Sequence, residues 1–373
     1  MTAPSASAPA AGAMRLDRLA FAALPGWEAD DHAAAFRAFR RTCAVASGEG
    51  EALRPAKAGD AALARVCRTA LAMPEAPEPG AARRFFEAHF EPHAVVPSGG
   101  SGFLTGYYEP EFRGSRAPTP EFRVPLLGRP DDLVTVPQGG TLPGLEPGLQ
   151  AGRRTAGGLV PYPDRAAIED GALGPLARPV VHLAEPGEAF IIHVQGSARV
   201  RLPDGTAMRV AYAGRNGHPY TSIGRILVER GAIPLPEMSL ERLMGWLKDH
   251  PGPARDLMRM NRSYIFFREA AELAPADGPI GGAGVPLTPG RSLAVDRSLW
   301  SYGLPVWLEG ELPLALDRTE PLRRLMIAQD TGSAIVGPAR GDFFFGSGPE
   351  AGTRAGLLRH PVRFVVLLPK ASP

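Results

Sequence analysis

Gln329-Asp330-Thr331-Gly332-Ser333-Ala334-Ile335, followed through Gly337 by Arg340-Gly341-Asp342-Phe343-Phe344-Phe345-Gly346, is the stretch on which the reading of this chain turns. An apolar run, Arg324–Ala328, leads into it, and the triple phenylalanine leaves it as a second strand, Asp342–Phe345. Between them lies a glycine-rich loop carrying the Asp330 carboxylate and the Arg340 guanidinium. Asp342 stands directly before three aromatic rings. If those rings and a bound ligand strip it of water, its protonated form is favoured and it can serve as a general acid near neutral pH. Arg340 opposes that shift, so the residues alone leave its sign open. A single Asp beside Gly is ordinarily a turn or cap residue.

Working outward, short strands continue on both sides: Ser292–Val295, Pro305–Leu308 and Val362–Leu367, with a glycine-dense linker or tight crossing at Gly278–Gly284. Upstream, 44 glycines and 40 prolines without a period favour turns and short strands, which rules out a helical bundle. Between Arg116 and about Thr206 the apolar runs include Ala189–Gln195, read as a strand. Ala198–Leu202 is followed by Pro203-Asp204-Gly205, a hairpin signal. Asn261–Arg268 reads as a strand, and Ser222–Arg230 and Ser239–His250 as helices. The N-terminal third is different. His32–Ala46, Asp60–Met73 and Ala81–Phe90 have helical spacing, with Phe85, Phe86 and Phe90 on one apolar face. Residues 1–28 read as a flexible leader.

At 373 residues the chain is long enough for two domains, and 44% hydrophobic with 21% charged residues describes a globular protein. A net charge of +2 gives no basic excess for a nucleic-acid binder. No apolar run reaches the roughly 18 residues of a membrane span, and the first residues lack the basic and apolar regions of a signal peptide. Cys43 and Cys67 have no metal-ligand spacing. They stand equally as a disulfide between two helices, which needs an oxidising compartment, or as a reduced pair in a core. GxSxG, HExxH and GxxxxGK[ST] are absent. Gly346, Gly348 and Gly352 form a turn rather than a dinucleotide loop. Arg340-Gly341-Asp342 as an adhesion tripeptide and Asn261-Arg262-Ser263 as a sequon are short enough for chance. His193 reads as a core histidine in a strand, His218 as a residue orienting its loop, and Asp296 as a turn residue bonding nearby N–H groups.

A second polar cluster joins Gln195, Gly196 and Ser197 to Tyr212-Ala213-Gly214-Arg215-Asn216-Gly217-His218-Pro219-Tyr220. Amides, hydroxyls and rings together suit a sugar, whose hydroxyls need paired donors and acceptors and whose faces stack on aromatics. Thr105, Tyr107 and Tyr108 have the same character. A hydrogen-bonded loop with surface tyrosines is the plain alternative for each segment.

These motifs together resemble the membrane-bound lytic murein transglycosylase A family. The resemblance rests on LTGYYEP (Leu104–Pro110), YPDRAAIEDGAL (Tyr162–Leu173), VQGSARVRLPDG (Val194–Gly205), YAGRNGHPYTSIG (Tyr212–Gly224), NRSYIFFR (Asn261–Arg268) and the opening stretch, which resembles the family's three-aspartate domain. It implies a mainly β fold: a double-psi β-barrel with N-terminal helices, formed by 29–112 and 266–373, an inserted smaller β-barrel-like domain at 113–265, and a cleft between them. It implies a peptidoglycan lytic exotransglycosylase, a lyase, that leaves 1,6-anhydromuramoyl ends, with Asp342 as the catalytic acid and then base. Asp330 and Asp296 are then supporting residues, and Thr105, Tyr107, Tyr108, Gln195, Ser197, Asn216 and Tyr220 touch substrate. The expected ligand is the peptidoglycan glycan strand, with no cofactor, metal or nucleic acid. A monomer in the periplasm, associated with the outer membrane and with cell-wall synthesis or division proteins, is the matching expectation. Two departures from the family pattern are visible, Ser333 where a second glycine is usual and Gly303-Leu304 where Gly-Thr is usual. A non-catalytic glycan-binding module and a hydrolytic glycosidase are the rivals, the latter needing a second carboxylate from Asp330 or Glu350. An intracellular interaction protein is a third.

Overall fold

The computed structural model describes residues 14–371 except 137–139, 141, 147, 275–276 and 316–317. Its strands form sheets of nine, six and three strands, so the fold is mainly β. The chain divides into two compact units. The first holds Met1–Tyr107, Ile280–Gly346 and Leu357–Pro373, and the second holds Tyr108–Pro279 and Ser347–Gly356.

The first unit carries the nine-stranded sheet. Its order is Met14–Arg18, Phe90–Pro97, Arg363–Pro369, Pro305–Ala315, Arg318–Asp330, Ser292–Val295, Arg340–Ser347, Phe103–Glu109 and Arg359–Pro361, an open series. Ser292–Val295 runs parallel to Arg318–Asp330 and antiparallel to Arg340–Ser347. Three helices, His32–Ala46, Ala61–Ala72 and Pro79–His89, belong to the same unit. Asp31 and Asp60 cap the first two by accepting from Ala34 N and Leu63 N, which satisfies donors that the helix leaves open. Phe36 meets Phe85 edge-on at 5.0 Å, and Phe39 meets Phe90 at 5.7 Å, so the expected aromatic face is core.

The leader expectation for 14–28 is overturned. Met14–Arg18 pairs with Phe90–Pro97, and Trp27 is buried against Trp307 with its indole N–H on Glu87. Polar, small-residue texture describes residues 1–13, which lie outside the described residues, and does not extend to Trp27. Cys43 and Cys67 are free and buried.

A buried polar group ties the helices to the sheet. Gln329 donates to the Ala38 carbonyl at 2.9 Å and to Thr42 Oγ1 at 2.7 Å, and its own carbonyl accepts from Ser292 Oγ. Nearby, Asp30 takes the Arg291 guanidinium in two bonds of 2.8 and 2.9 Å and accepts from Leu325 N at 2.9 Å.

The second unit orders its six strands as Ile265–Glu269, Ala207–Arg215, Ser197–Arg201, Glu111–Ser115, Pro179–Leu183 and Val124–Leu127. The expected hairpin is present, Ser197–Arg201 pairing antiparallel with Ala207–Arg215 around Gly205 at φ +83°. Wholly buried Glu109 holds Arg199 at 2.9 Å and Arg209 at 3.2 Å and accepts from Ser347 Oγ at 2.6 Å. These bonds, with the parallel pairing of Glu111–Arg113 on Arg199–Arg201, place residues 108–112 in this unit. Ala189–Gln195 is not a strand but the body of a helix, Pro186–Gln195. A Glu185/Glu188 capping box opens it, Pro186 sits in its first turn and Gly196 closes it at φ +83°. Pro251–Arg259 is a further helix that the sequence reading passed over.

Asp30→Ala leaves the Arg291 charge buried without its partner, which costs about 3–5 kcal/mol. Urea unfolding of the variant measures this loss, and a loss below about 1 kcal/mol would contradict the assigned role.

Candidate active site

Register brings the acidic residues of the first unit together. Asp342 on Arg340–Ser347 lies opposite Ala294, and Ala294 lies opposite Asp330 on the other side. Residues directly opposite share a face of the sheet, and neighbouring strands are about 4.8 Å apart. Two carboxylates therefore flank one small side chain. A register shift between Leu293 and Ala294 is what brings Asp330 rather than Gln329 into this row, the usual effect of a bulge beside a functional site.

The next strand extends the row. Thr105 Oγ1 donates to Asp342 Oδ1 at 2.7 Å, and Arg340 donates to Thr105 Oγ1 at 2.7 Å. Tyr107, two residues on and hence on the same face, sets its ring 5.2 Å from that of Phe344. Its hydroxyl is buried close to Asp330, outside good hydrogen-bonding geometry, and burial with the charges of Asp330 and Asp342 holds it protonated. Phe103, on the same face again, is 42% exposed with the Arg340 guanidinium over its ring.

Electrostatics settles the sign that the residues alone left open. Burial pushes the half-buried Asp342 carboxyl up to about 6, against the Thr105 hydrogen bond and the Arg340 charge, with Asp330 adding to the rise. Burial also raises Asp330, against the Arg54 charge and the hydrogen bonds that its Oδ1 accepts from Gly282 N at 2.7 Å and Thr331 N at 2.8 Å. Arg54 donates to the Thr331 carbonyl at 2.7 Å and gives its backbone N–H to Gly282 O. Sequence reading missed Arg54, which sits in a coil segment, Glu51–Asp60, without a motif.

Asp296 is not part of the row. Its Oδ1 accepts from Ser298 N and Oγ, and its Oδ2 accepts from Gly337 N at 2.7 Å, so it holds the loop that leads to Arg340.

In the second unit, Gln195 Oε1 accepts from Tyr108 N at 3.2 Å, and Ser197 follows one residue after the helix cap. Tyr108 is buried under Gly352, where an added Cβ would stand 2.7 Å from its ring. Tyr220 is half-buried. Asn216 departs from its expected substrate contact. It is wholly buried, with its amide donating to Pro163 O and Arg262 O and its carbonyl accepting from Tyr264 N, all within 3.0 Å. Those bonds engage both its donors, so it fastens loops to the sheet.

His193 lies on the helix and is kept neutral by burial and by Arg165, whose guanidinium is 3.2 Å from its Nδ1. His218 donates from Nε2 to the Tyr162 carbonyl at 2.7 Å, fixing its loop. Asn261 of the sequon is buried, and its side chain accepts from Thr221 N and Ser263 N. Among the described residues, no group of three His, Cys, Asp or Glu side chains is arranged to hold a metal.

Two family models match this chain, the MltA specific insert domain over residues 103–268 and the 3D domain over residues 291–368. A crystal structure of a membrane-bound lytic murein transglycosylase from Agrobacterium tumefaciens is 38% identical, covers 95% of this chain and 97% of its own, and superposes with a TM-score of 0.84. The chain belongs to the lytic murein transglycosylase A family. Membrane-bound lytic murein transglycosylase A of Escherichia coli strain K12 is 34% identical over 277 residues, which is 72% of this chain and 66% of that protein's length. A structure of the E. coli protein with bound chitohexaose is 28% identical, covers 84% of this chain and 82% of its own, and has a TM-score of 0.60.

Because the folded protein favours protonated Asp342, ionising that group above pH 6 weakens the fold. Asp342→Asn, neutral at every pH, should exceed the native protein in stability by about 1–3 kcal/mol at pH 8. The gap should close as pH falls through 6 towards 4. Denaturant unfolding at both pH values checks this, and equal stability at pH 8 would contradict it.

Proposed function

We propose that this chain is a lytic transglycosylase that cleaves the β-1,4 bond between N-acetylmuramic acid and N-acetylglucosamine in peptidoglycan without water, leaving 1,6-anhydromuramoyl ends. The observation that carries the reading is Asp342, half-buried, held protonated to about pH 6 and joined to Thr105 and Arg340. The relatives' name points to the same activity, and the chitohexaose bound to the E. coli relative shows that relative taking an oligosaccharide.

In the proposed reaction the Asp342 proton passes to the glycosidic oxygen as its bond to the muramoyl anomeric carbon breaks. The C6 hydroxyl oxygen of the same sugar bonds to that carbon, and its proton returns to the Asp342 carboxylate. One group is acid first and base second. An internal hydroxyl in good alignment has an effective molarity of roughly 10⁵–10⁸ M, so no second carboxylate has to recruit water. Hydrolysis would need such a partner. Asp330, the neighbour in the row, is itself pushed towards its protonated form and bonded to backbone N–H groups, which suits support better than nucleophilic attack.

Tyr107, Tyr108, Gln195, Ser197 and Tyr220 keep a proposed substrate role on their chemistry, while Asp330 and Asp296 support Asp342 and its loop. We read the nine-stranded unit as the double-psi β-barrel, in which a parallel pair among antiparallel strands fits, and the second unit as the insert. Periplasmic, outer-membrane-associated location is proposed from the family. Among the described residues no helix is long and apolar enough to cross a membrane.

Purified peptidoglycan digested by the native protein should release anhydromuropeptides, and Asp342→Asn should lose about 10²–10⁴-fold in rate. Chromatography with mass detection reads both, and an active Asn variant would remove Asp342 from its role.

A further inference from the structure

The Asp342 carboxyl has two oxygens in unlike surroundings. Oδ1 receives the Thr105 hydroxyl at 2.7 Å. Oδ2 has no hydrogen-bond partner among the described residues. Thr105 Oγ1 is itself the acceptor of an Arg340 N–H at 2.7 Å. A hydroxyl carries one proton, and a cation on its oxygen makes that proton a stronger donor. The Thr105 proton is therefore directed at Oδ1. Any proton that Asp342 itself carries belongs on Oδ2.

Resting on the acid role given above, we propose that Arg340 and Thr105 are positioning residues that commit Asp342 Oδ1 to accepting a hydrogen bond, so that Oδ2 is the oxygen that gives its proton to the glycosidic bond. This replaces the substrate contact expected of Thr105. Its donor already points at Asp342 and one lone pair is taken by Arg340. The arrangement also fixes the carboxyl's rotation, because Oδ1 is held by one strand while the main chain of Asp342 is held in register with Ala294 on another.

The charged and titratable groups around Asp342 come from each neighbouring element. They are Arg340 on its own strand, Tyr107 on the Thr105 strand, Arg359 opposite Thr105 on the strand beyond, Asp330 across Ala294, and Arg54, whose charge acts on Asp330 and Tyr107. Among the described residues, Arg340 and Thr105 form a hydrogen-bonded chain that ends on Asp342.

The test is a carboxyl ¹³C NMR titration of the free protein labelled at aspartate, with Asp342→Asn assigning the resonance. Thr105→Val should raise the Asp342 midpoint by about one unit, Thr105→Ser should restore it, and Arg340→Met should raise it. Because Arg340 acts partly through Thr105, the double variant should shift by less than the two single shifts combined. On peptidoglycan, Thr105→Val should lower kcat at least tenfold with KM within about twofold, and Thr105→Ser should recover most of the loss. An unmoved midpoint with a raised KM would return Thr105 to substrate contact, and fully additive shifts would overturn the chain from Arg340. The titration needs no turnover, so it decides the hydrogen-bond chain even if Asp342→Asn were to keep making anhydro ends.

Discussion

A carboxyl group withheld from water, yet not allowed to swing, is the constraint that the first unit is built around. Burial alone would raise the Asp342 proton affinity, and a free carboxyl would rotate between solvent and protein. The Thr105 hydroxyl prevents rotation and takes back part of the burial effect, leaving the group titrating at about 6. Stronger opposition from Arg340 would ionise Asp342 and remove its proton. Arg340, itself partly desolvated and bonded to Thr105, offsets only part of the burial effect on the carboxyl.

Positions of this kind need a stiff support. Asp342, Ala294 and Asp330 belong to three adjacent strands, so their spacing is set by backbone ladders rather than by loop conformations. The strand that ends in Asp330 is held against a helix by Gln329, whose amide bonds Ala38 O and Thr42 Oγ1. On the same strand, Leu325 N donates to Asp30, itself paired with Arg291. Two buried polar contacts, each satisfied, thus fix the same element from the helical side. Such contacts add little net stability, but breaking one is costly, which ties the site's geometry to the fold's integrity.

Much of this was open to reading from residues. The strands around Gln329–Gly346 follow from apolar runs between glycines, and Asp342 stands out as a carboxylate against three rings. The direction of its shift was not, because it depends on how far the folded strands bury the carboxyl, against a Thr105 bond formed only across a strand pair and the Arg340 charge. The Gln329/Asp330 bulge carries no composition signal, and neither does Arg54. Ala189–Gln195 misled because a short, wholly apolar run has no period to separate strand from helix; Glu185, Pro186, Glu188 and Gly196 around it are the helix signals. Trp27 reads as leader because the small-residue texture before it ends without a boundary marker. Asn216 has sugar-binding chemistry, and only its backbone partners show that chemistry already engaged.

In the proposed reaction a single carboxyl moves a proton while the sugar supplies the attacking oxygen. Digestion of peptidoglycan in water enriched in ¹⁸O tests this most directly. Products should carry no ¹⁸O at the muramoyl anomeric carbon when quenched at early times, because the new bond is to the sugar's own C6 oxygen. One ¹⁸O per cleaved bond, in a reducing muramoyl end, would show water as the nucleophile and contradict the account.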